Sequence, residues 1–117
     1  MITQEATFHE NYNIKTSSDY NEGVLVAYEE FNKEGKLILS EDIDGNVIKV
    51  EYDKKNRLKR VYILNKENRK TEWKIYSYPK DNMVILHRRE GNPAVIHKMV
   101  FGPEENGARV MISEKFL

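Results

Sequence analysis

The chain contains no cysteine, which removes disulfide scaffolds, thiolate zinc centres and thiol nucleophiles in one step. No apolar run approaches the roughly 18 residues that span a bilayer. The opening segment, MITQEATFHE, lacks the basic start and apolar middle of a secretion signal. A soluble, cytoplasmic protein with no membrane partner is therefore expected. Catalytic signatures are missing as well. There is no Gly-x-Ser-x-Gly elbow, no phosphate-cradling glycine loop ahead of a helix and no His-Glu-x-x-His, so the expectation is a non-enzyme with no cofactor and no metal. Helical periodicity fails after residue 22, where segments such as Ile48-Lys49-Val50-Glu51-Tyr52 alternate at period two.

What is present is a chain of 117 residues, enough for one domain, with 39% hydrophobic and 32% charged residues. Its 7 Tyr, 4 Phe and 1 Trp exceed what a disordered polymer carries. It folds around a thin core. From Gly23 onward, eight β-rich runs are separated by turn clusters: Gly23–Asn32, Lys36–Ile43, Asn46–Tyr52, Arg57–Asn65, Lys70–Tyr78, Met83–Arg89, Ala94–Phe101 and Ala108–Phe116. The fold class expected is all-β. A single domain forms a twisted antiparallel meander of seven or eight strands over residues 23–117, curled or partly barrel-like so that one face is covered. Residues 1–22 form an N-terminal arm or edge segment.

Turn chemistry sets a register for the first hairpins. If Asp44-Gly45 is a two-residue type I′ loop, Ile43 faces Asn46, Leu39 faces Val50 and Leu37 faces Tyr52. Three-residue loops at Lys33–Gly35 and Lys54–Asn56 then place Phe31 opposite Leu37, Tyr52 opposite Leu58, and Glu51 opposite Lys59. An apolar row Phe31–Leu37–Tyr52–Leu58 results, with Ile38, Lys49, Glu51, Lys59 and Val61 on the reverse face.

The pattern aromatic–(Asn/Asp)–Lys–x–(Gly/Asn)–(Lys/Arg)–Leu occurs at Phe31–Leu37 and again 21 residues later at Tyr52–Leu58, with weaker copies at Tyr78 and Phe101. Over residues 31–58 the chain resembles the YD, or RHS, repeat family. The resemblance weakens where Asn56 stands in place of the usual glycine, and where Tyr78-Pro79 and Phe101-Gly102 replace the aromatic–Asp pair. Long members of that family form a strip of antiparallel hairpins that coils into a hollow shell, often around a toxin, or serves cell-surface adhesion. Two to four units cannot close a shell, so the resemblance implies a twisted sheet of hairpins.

Acids and bases balance at 19 each, yet they are divided along the chain. Residues 1–45 carry 10 acids and 3 bases, residues 46–98 carry 14 bases and 6 acids, and residues 99–117 carry 2 bases and 3 acids. The basic stretch is interleaved with Tyr52, Tyr62, Trp73 and Tyr76, and Lys55, Arg57, Lys59, Arg69, Lys74 and Tyr76 are the candidate binding residues. Trp73 is expected to complete the core. His87 and His97 face each other if Gly91–Pro93 is a three-residue loop, a pair that lacks further metal ligands. Glu29, Glu30, Glu41 and Asp42 crowd the first hairpin as solvated acids rather than an acid–base pair. The leading functional expectation is a protein-binding module of bacterial or phage origin, of inhibitor, immunity or scaffold type, whose partner is an acidic protein or a second copy of the chain. The alternatives are a carbohydrate or cell-surface binding module of YD type, a single-stranded nucleic-acid binder, and a small-ligand binder.

Overall fold

The computed structural model describes residues 2–67, 69–80, 83–91 and 94–117. They form β1 (Ile2–Phe8), β2 (Ile14–Asn21), β3 (Val24–Phe31), β4 (Leu37–Asp42), β5 (Val47–Tyr52), β6 (Leu58–Leu64), β7 (Lys70–Lys80), β8 (Met83–Glu90), β9 (Val95–Glu105) and β10 (Ala108–Phe116). All ten are antiparallel in one sheet whose spatial order is the chain order. The expected all-β meander is present, with ten strands rather than seven or eight, because Ile2–Asn21 supplies a hairpin of its own.

One turn design, repeated, builds the sheet. Asn32 Oδ1 accepts the backbone N–H groups of Glu34 and Lys36 at 3.1 and 2.9 Å. Asp42 does the same for Asp44 and Asn46, both at 2.9 Å, Asp53 for Lys55 and Arg57, both at 2.9 Å, and Asn65 for Glu67 and Arg69, both at 3.1 Å. A side-chain oxygen that satisfies two turn donors makes a three-residue loop favourable, provided the fourth residue accepts positive φ. Gly35, Gly45 and Asn56 sit there at φ 83°, 82° and 64°.

This design corrects the expected register. Asp44-Gly45 is not a two-residue type I′ loop. Asp42 captures the turn, Ile43 is left in the loop at 63% exposure, and Leu39 pairs with Lys49 instead of Val50. Bulges at Ile38 and Lys59 then shift the strands by one residue, so that Phe31 pairs with Leu37 and Tyr52 with Leu58 as expected. The Tyr52 hydroxyl donates to the Leu37 carbonyl at 2.8 Å and joins the two halves of the row. The bulge at Lys59 also makes Arg60 the partner of Glu51, at 3.6 Å, in place of Lys59, and puts Val61 beside Val50 on the same face as Tyr52 instead of the reverse face.

The turn acids give a pH prediction. The Asp42 carboxyl is held below the usual carboxylate range chiefly by the Asn46 backbone N–H, and Asp53 chiefly by that of Arg57. A folded pKa lower than the unfolded one contributes stability that is present above about pH 4 and lost as pH falls through the folded value. Thermal melts from pH 5 to pH 2 should therefore lose midpoint, and Asp42→Asn with Asp53→Asn should flatten part of that slope. Asn32 and Asn65 already make the same bonds without a charge. An unchanged slope in the double variant would contradict the assignment.

The sheet neither closes into a barrel nor folds over itself. Among the described residues, strand packing occurs only between consecutive strands. The extents are 48 × 39 × 23 Å and the Cα radius of gyration is 17.1 Å, against roughly 13 Å for a compact chain of this length. The expected curl over one face is thus corrected to an open single layer. Among the described residues, the buried side chains are those of Leu64, Val84, Leu86, Met99 and His97, and Gly102 is buried with them.

Candidate functional site

Alternation along each strand, carried across the observed register, sorts the side chains onto two faces. One carries the row Leu39–Lys49–Tyr62–Trp73–Arg89–Ile96. Beside it runs Glu51–Arg60–Ile75–His87–Lys98–Lys115. With Lys70 next to Leu64, this face gathers most of the positive charge of β5 to β10 around two aromatic rings, and it is termed the cationic face. The acids of the same face lie mainly in the other half of the sheet, where Glu5, Glu30 and Glu41 occupy β1, β3 and β4. Because strand order equals chain order, the charge division of the sequence becomes a division in space.

The opposite face carries Val50–Val61–Lys74–Arg88–His97–Phe116, Ile48 beside Ile63, and Tyr76–Leu86–Met99. Together with Phe31, Leu37, Tyr52 and Leu58 it forms the apolar face.

On the cationic face the Lys70 ammonium sits 4.1 Å from the Tyr62 ring centroid. Next to them is an open groove of about 550 Å³ between Glu30, Leu39, Lys49, Tyr62, Leu64 and Lys70. Arg89 Nη1 donates to the Thr71 carbonyl at 3.2 Å, which holds the guanidinium along the sheet surface beside Trp73. The Tyr28 hydroxyl donates to Glu30 at 2.9 Å, and that bond to a carboxylate raises the Tyr28 pKa.

The candidate binding residues do not form one surface. Lys55 is exposed in the β5–β6 turn, whereas Arg69 is exposed in the β6–β7 turn at the other end of the strands. Arg57 is held by Asp53 Oδ2 at 2.8 Å and lies over the Tyr78 ring at 4.0 Å. Lys59 occupies the β6 bulge. Lys74 and Tyr76 belong to the apolar face, where burial raises the Tyr76 pKa. Tyr76, paired with the buried Leu86, is the ring that extends the core, while Trp73 lies on the cationic face, opposite to expectation.

Two further expectations are settled by register. His87 pairs with Lys98 and His97 with Arg88, so the two imidazoles point to opposite faces and do not meet; residues 92 and 93 of the intervening turn lie outside the described residues. No group of three or more His, Asp or Glu able to hold a metal occurs among the described residues. The four acids of the first hairpin split between the faces, Glu30 and Glu41 on one, Glu29 and Asp42 on the other.

His97 is the one buried polar side chain among the described residues, at 6% exposure. It stacks on Phe116 with centroids 4.2 Å apart. Nε2 lies 3.2 Å from Glu114 Oε1, near enough for an ion pair when the ring is protonated, but the angle makes no hydrogen bond, and both ring nitrogens and Arg88 Nε are buried without hydrogen-bond partners among the described residues.

Sequence reasoning missed Arg60, Arg89, Lys98 and Lys115 as members of one surface. The signal was there: carrying the register forward from the Tyr52–Leu58 pair with one bulge per turn aligns residues 49, 62, 73 and 89. Neither the protein-family models nor the curated proteins contain a match to this chain.

Proposed function

We propose that the chain is a non-enzymatic protein-binding module that engages an acidic patch of its partner through the cationic face. One observation carries this reading: Lys49, Arg60, Lys70, Arg89 and Lys98 share a face with Tyr62 and Trp73, while Glu5, Glu30 and Glu41 occupy the other half of the same face, Glu30 bordering the groove beside Lys49 and Lys70. Aromatic and arginine side chains bring contact area at low entropy cost. The acidic flank gives the surface a direction, attracting a partner of opposite arrangement and repelling a long polyanion. YD-like hairpin units supply the rigid strip on which the pattern is displayed.

Affinity capture from source cells, quantified by mass spectrometry, tests the proposal with the wild type, the double variant Arg60→Glu/Arg89→Glu, and Lys55→Glu in the turn. The same specific protein should be recovered by the wild type and Lys55→Glu, and reduced about tenfold or more by the double variant, with the contrast shrinking at high salt. Recovery that ignores the double variant would reject the cationic face. Paired Tyr and Trp rings among cations also suit single-stranded nucleic acid. Tight, salt-sensitive binding of an oligodeoxythymidylate that the double variant abolishes would replace the protein reading with that one.

A further inference from the structure

We infer that the apolar face is covered by a second copy of this chain, giving a two-layer β-sandwich whose cationic faces point outward. The inference rests on surface area and face composition, independently of the partner proposed above. The chain exposes 8534 Å², where a compact monomer of 13.8 kDa exposes roughly 6,600 Å². The difference, about 1,900 Å², is close to what one subunit contributes to an obligate dimer, whose interface totals about 2,000–5,000 Å².

The face has the composition of a sandwich interior. Ile48, Val50, Val61 and Ile63 occupy the two central strands, β5 and β6. The charged residues of the face stand to either side, Asp19, Glu29 and Asp42 on β2 to β4, Glu72 and Lys74 on β7, Arg88 and Glu90 on β8, and Glu114 on β10. A two-fold axis along the central strands lays β5 of one copy over β6 of the other. Apolar residues then meet apolar residues at the centre, and β7 and β8 lie over β4 and β3 of the other copy, so that Lys74 and Arg88 flank the apolar strip on strands facing those of Asp42 and Glu29. A formal net charge of zero sets up no long-range repulsion between copies. Self-association also leaves Lys49, Tyr62, Trp73 and Arg89 free on both outer surfaces.

Light scattering and sedimentation at micromolar concentration should give twice 13.8 kDa. The cysteine-free sequence allows a site-specific test. Ile48→Cys on the apolar face and Ile75→Cys on the cationic face start from nearly equal exposure, 38% and 37%. A bis-maleimide matched to the roughly 10 Å spacing of stacked sheets should link Ile48→Cys into a dimer and leave Ile75→Cys largely unlinked. Ile48→Lys should raise the dissociation constant at least about tenfold, because the interface centre would bury an unpaired charge, with a strand-type circular dichroism spectrum retained. A wild-type monomer at every concentration would overturn the inference, as would preferential cross-linking through Ile75→Cys, which would mean that copies meet through the other face. A single-chain mass together with cross-linking of a captured protein through Ile48→Cys and not through Ile75→Cys would overturn it by assigning the apolar face to that protein. Loss of capture in Arg60→Glu/Arg89→Glu with the dimer intact concerns the partner surface alone, which keeps the two outcomes separate.

Discussion

Leu86→Ala should destabilise the fold by about 2–4 kcal/mol, lowering the thermal midpoint by roughly 10 °C. Leu86 is 9% exposed between Tyr76 and Met99, and a single-layer sheet has no second layer within the chain to collapse into the space left behind. Ile43→Ala, at a turn position 63% exposed, should change stability by less than about 0.5 kcal/mol. The larger loss should also be local. Each strand packs only on its chain neighbours, so stability is close to a sum of nearest-neighbour terms, as in solenoids. Among the described residues, the buried side chains all lie on β6, β8 and β9. Hydrogen exchange should accordingly be slowest in those strands and fastest in β1 and β2, and Leu86→Ala should accelerate exchange from β7 to β10 far more than from β1 to β4. Uniform exchange along the chain, or a midpoint unchanged by Leu86→Ala, would refute this account of the core.

Much of the architecture was legible because hairpin chemistry is local. Gly35 and Asn56 mark the positive-φ positions, and period-two alternation marks the strands between them. The Phe31–Leu37 and Tyr52–Leu58 pairs followed from those signals alone. The first error came from Asp44-Gly45, where a dipeptide that suits a two-residue turn competes with an Asp two residues earlier whose carboxylate reaches two N–H groups. The Asp42 side chain wins, as Asn32, Asp53 and Asn65 do in their own turns. The open shape was not legible. Apolar residues on both faces of β5 and β6 predict a cover, but no local signal states whether it comes from the same chain. The cationic face was half legible: its residue types were recognised, and its membership was lost with the register, which a one-residue bulge inverts from one face to the other.

The charge division has a structural reason to matter. In a fold with crossovers, distant segments interleave and an acidic first third would be mixed with a basic middle. Here strand order follows chain order, so the 10 acids of residues 1–45 and the 14 bases of residues 46–98 occupy opposite halves of one sheet and meet where Glu30 borders the groove beside Lys49 and Lys70. The outer strands of the two halves, with Glu5 on β1 and Lys98 and Lys115 on β9 and β10, stand many strand spacings apart, more than a Debye length of about 8 Å at physiological salt, so the outer parts act as distinct patches rather than cancelling. The sheet thus carries a charge gradient from one side to the other even though the net charge is zero.

Tyr78→Ala should cost about 2–3 kcal/mol, because this ring is the clasp between successive hairpin units. Its hydroxyl donates to the Leu58 carbonyl at 2.7 Å, its face lies 4.0 Å under the Arg57 guanidinium, and Arg57 is itself oriented by Asp53. The same construction appears one unit earlier, where the Tyr52 hydroxyl donates to the Leu37 carbonyl and Lys36 lies 5.2 Å over the ring. The Lys/Arg-Leu of one unit thus grips the tyrosine of the next, which explains physically why those residue types recur with the turn. Tyr78→Phe isolates the hydrogen bond and should cost about 1 kcal/mol. A double-mutant cycle with Arg57→Ala should return a coupling of about 0.5–1 kcal/mol. Burial first, and then the Asp53 charge, raise the Tyr78 pKa. The stability tied to its protonated form is complete below about pH 10 and is lost as pH rises through the higher folded value, so Tyr78→Phe should also reduce alkaline sensitivity. Equal melting points for wild type and Tyr78→Ala, with no coupling to Arg57, would show that the hairpins are held by their backbone ladders alone.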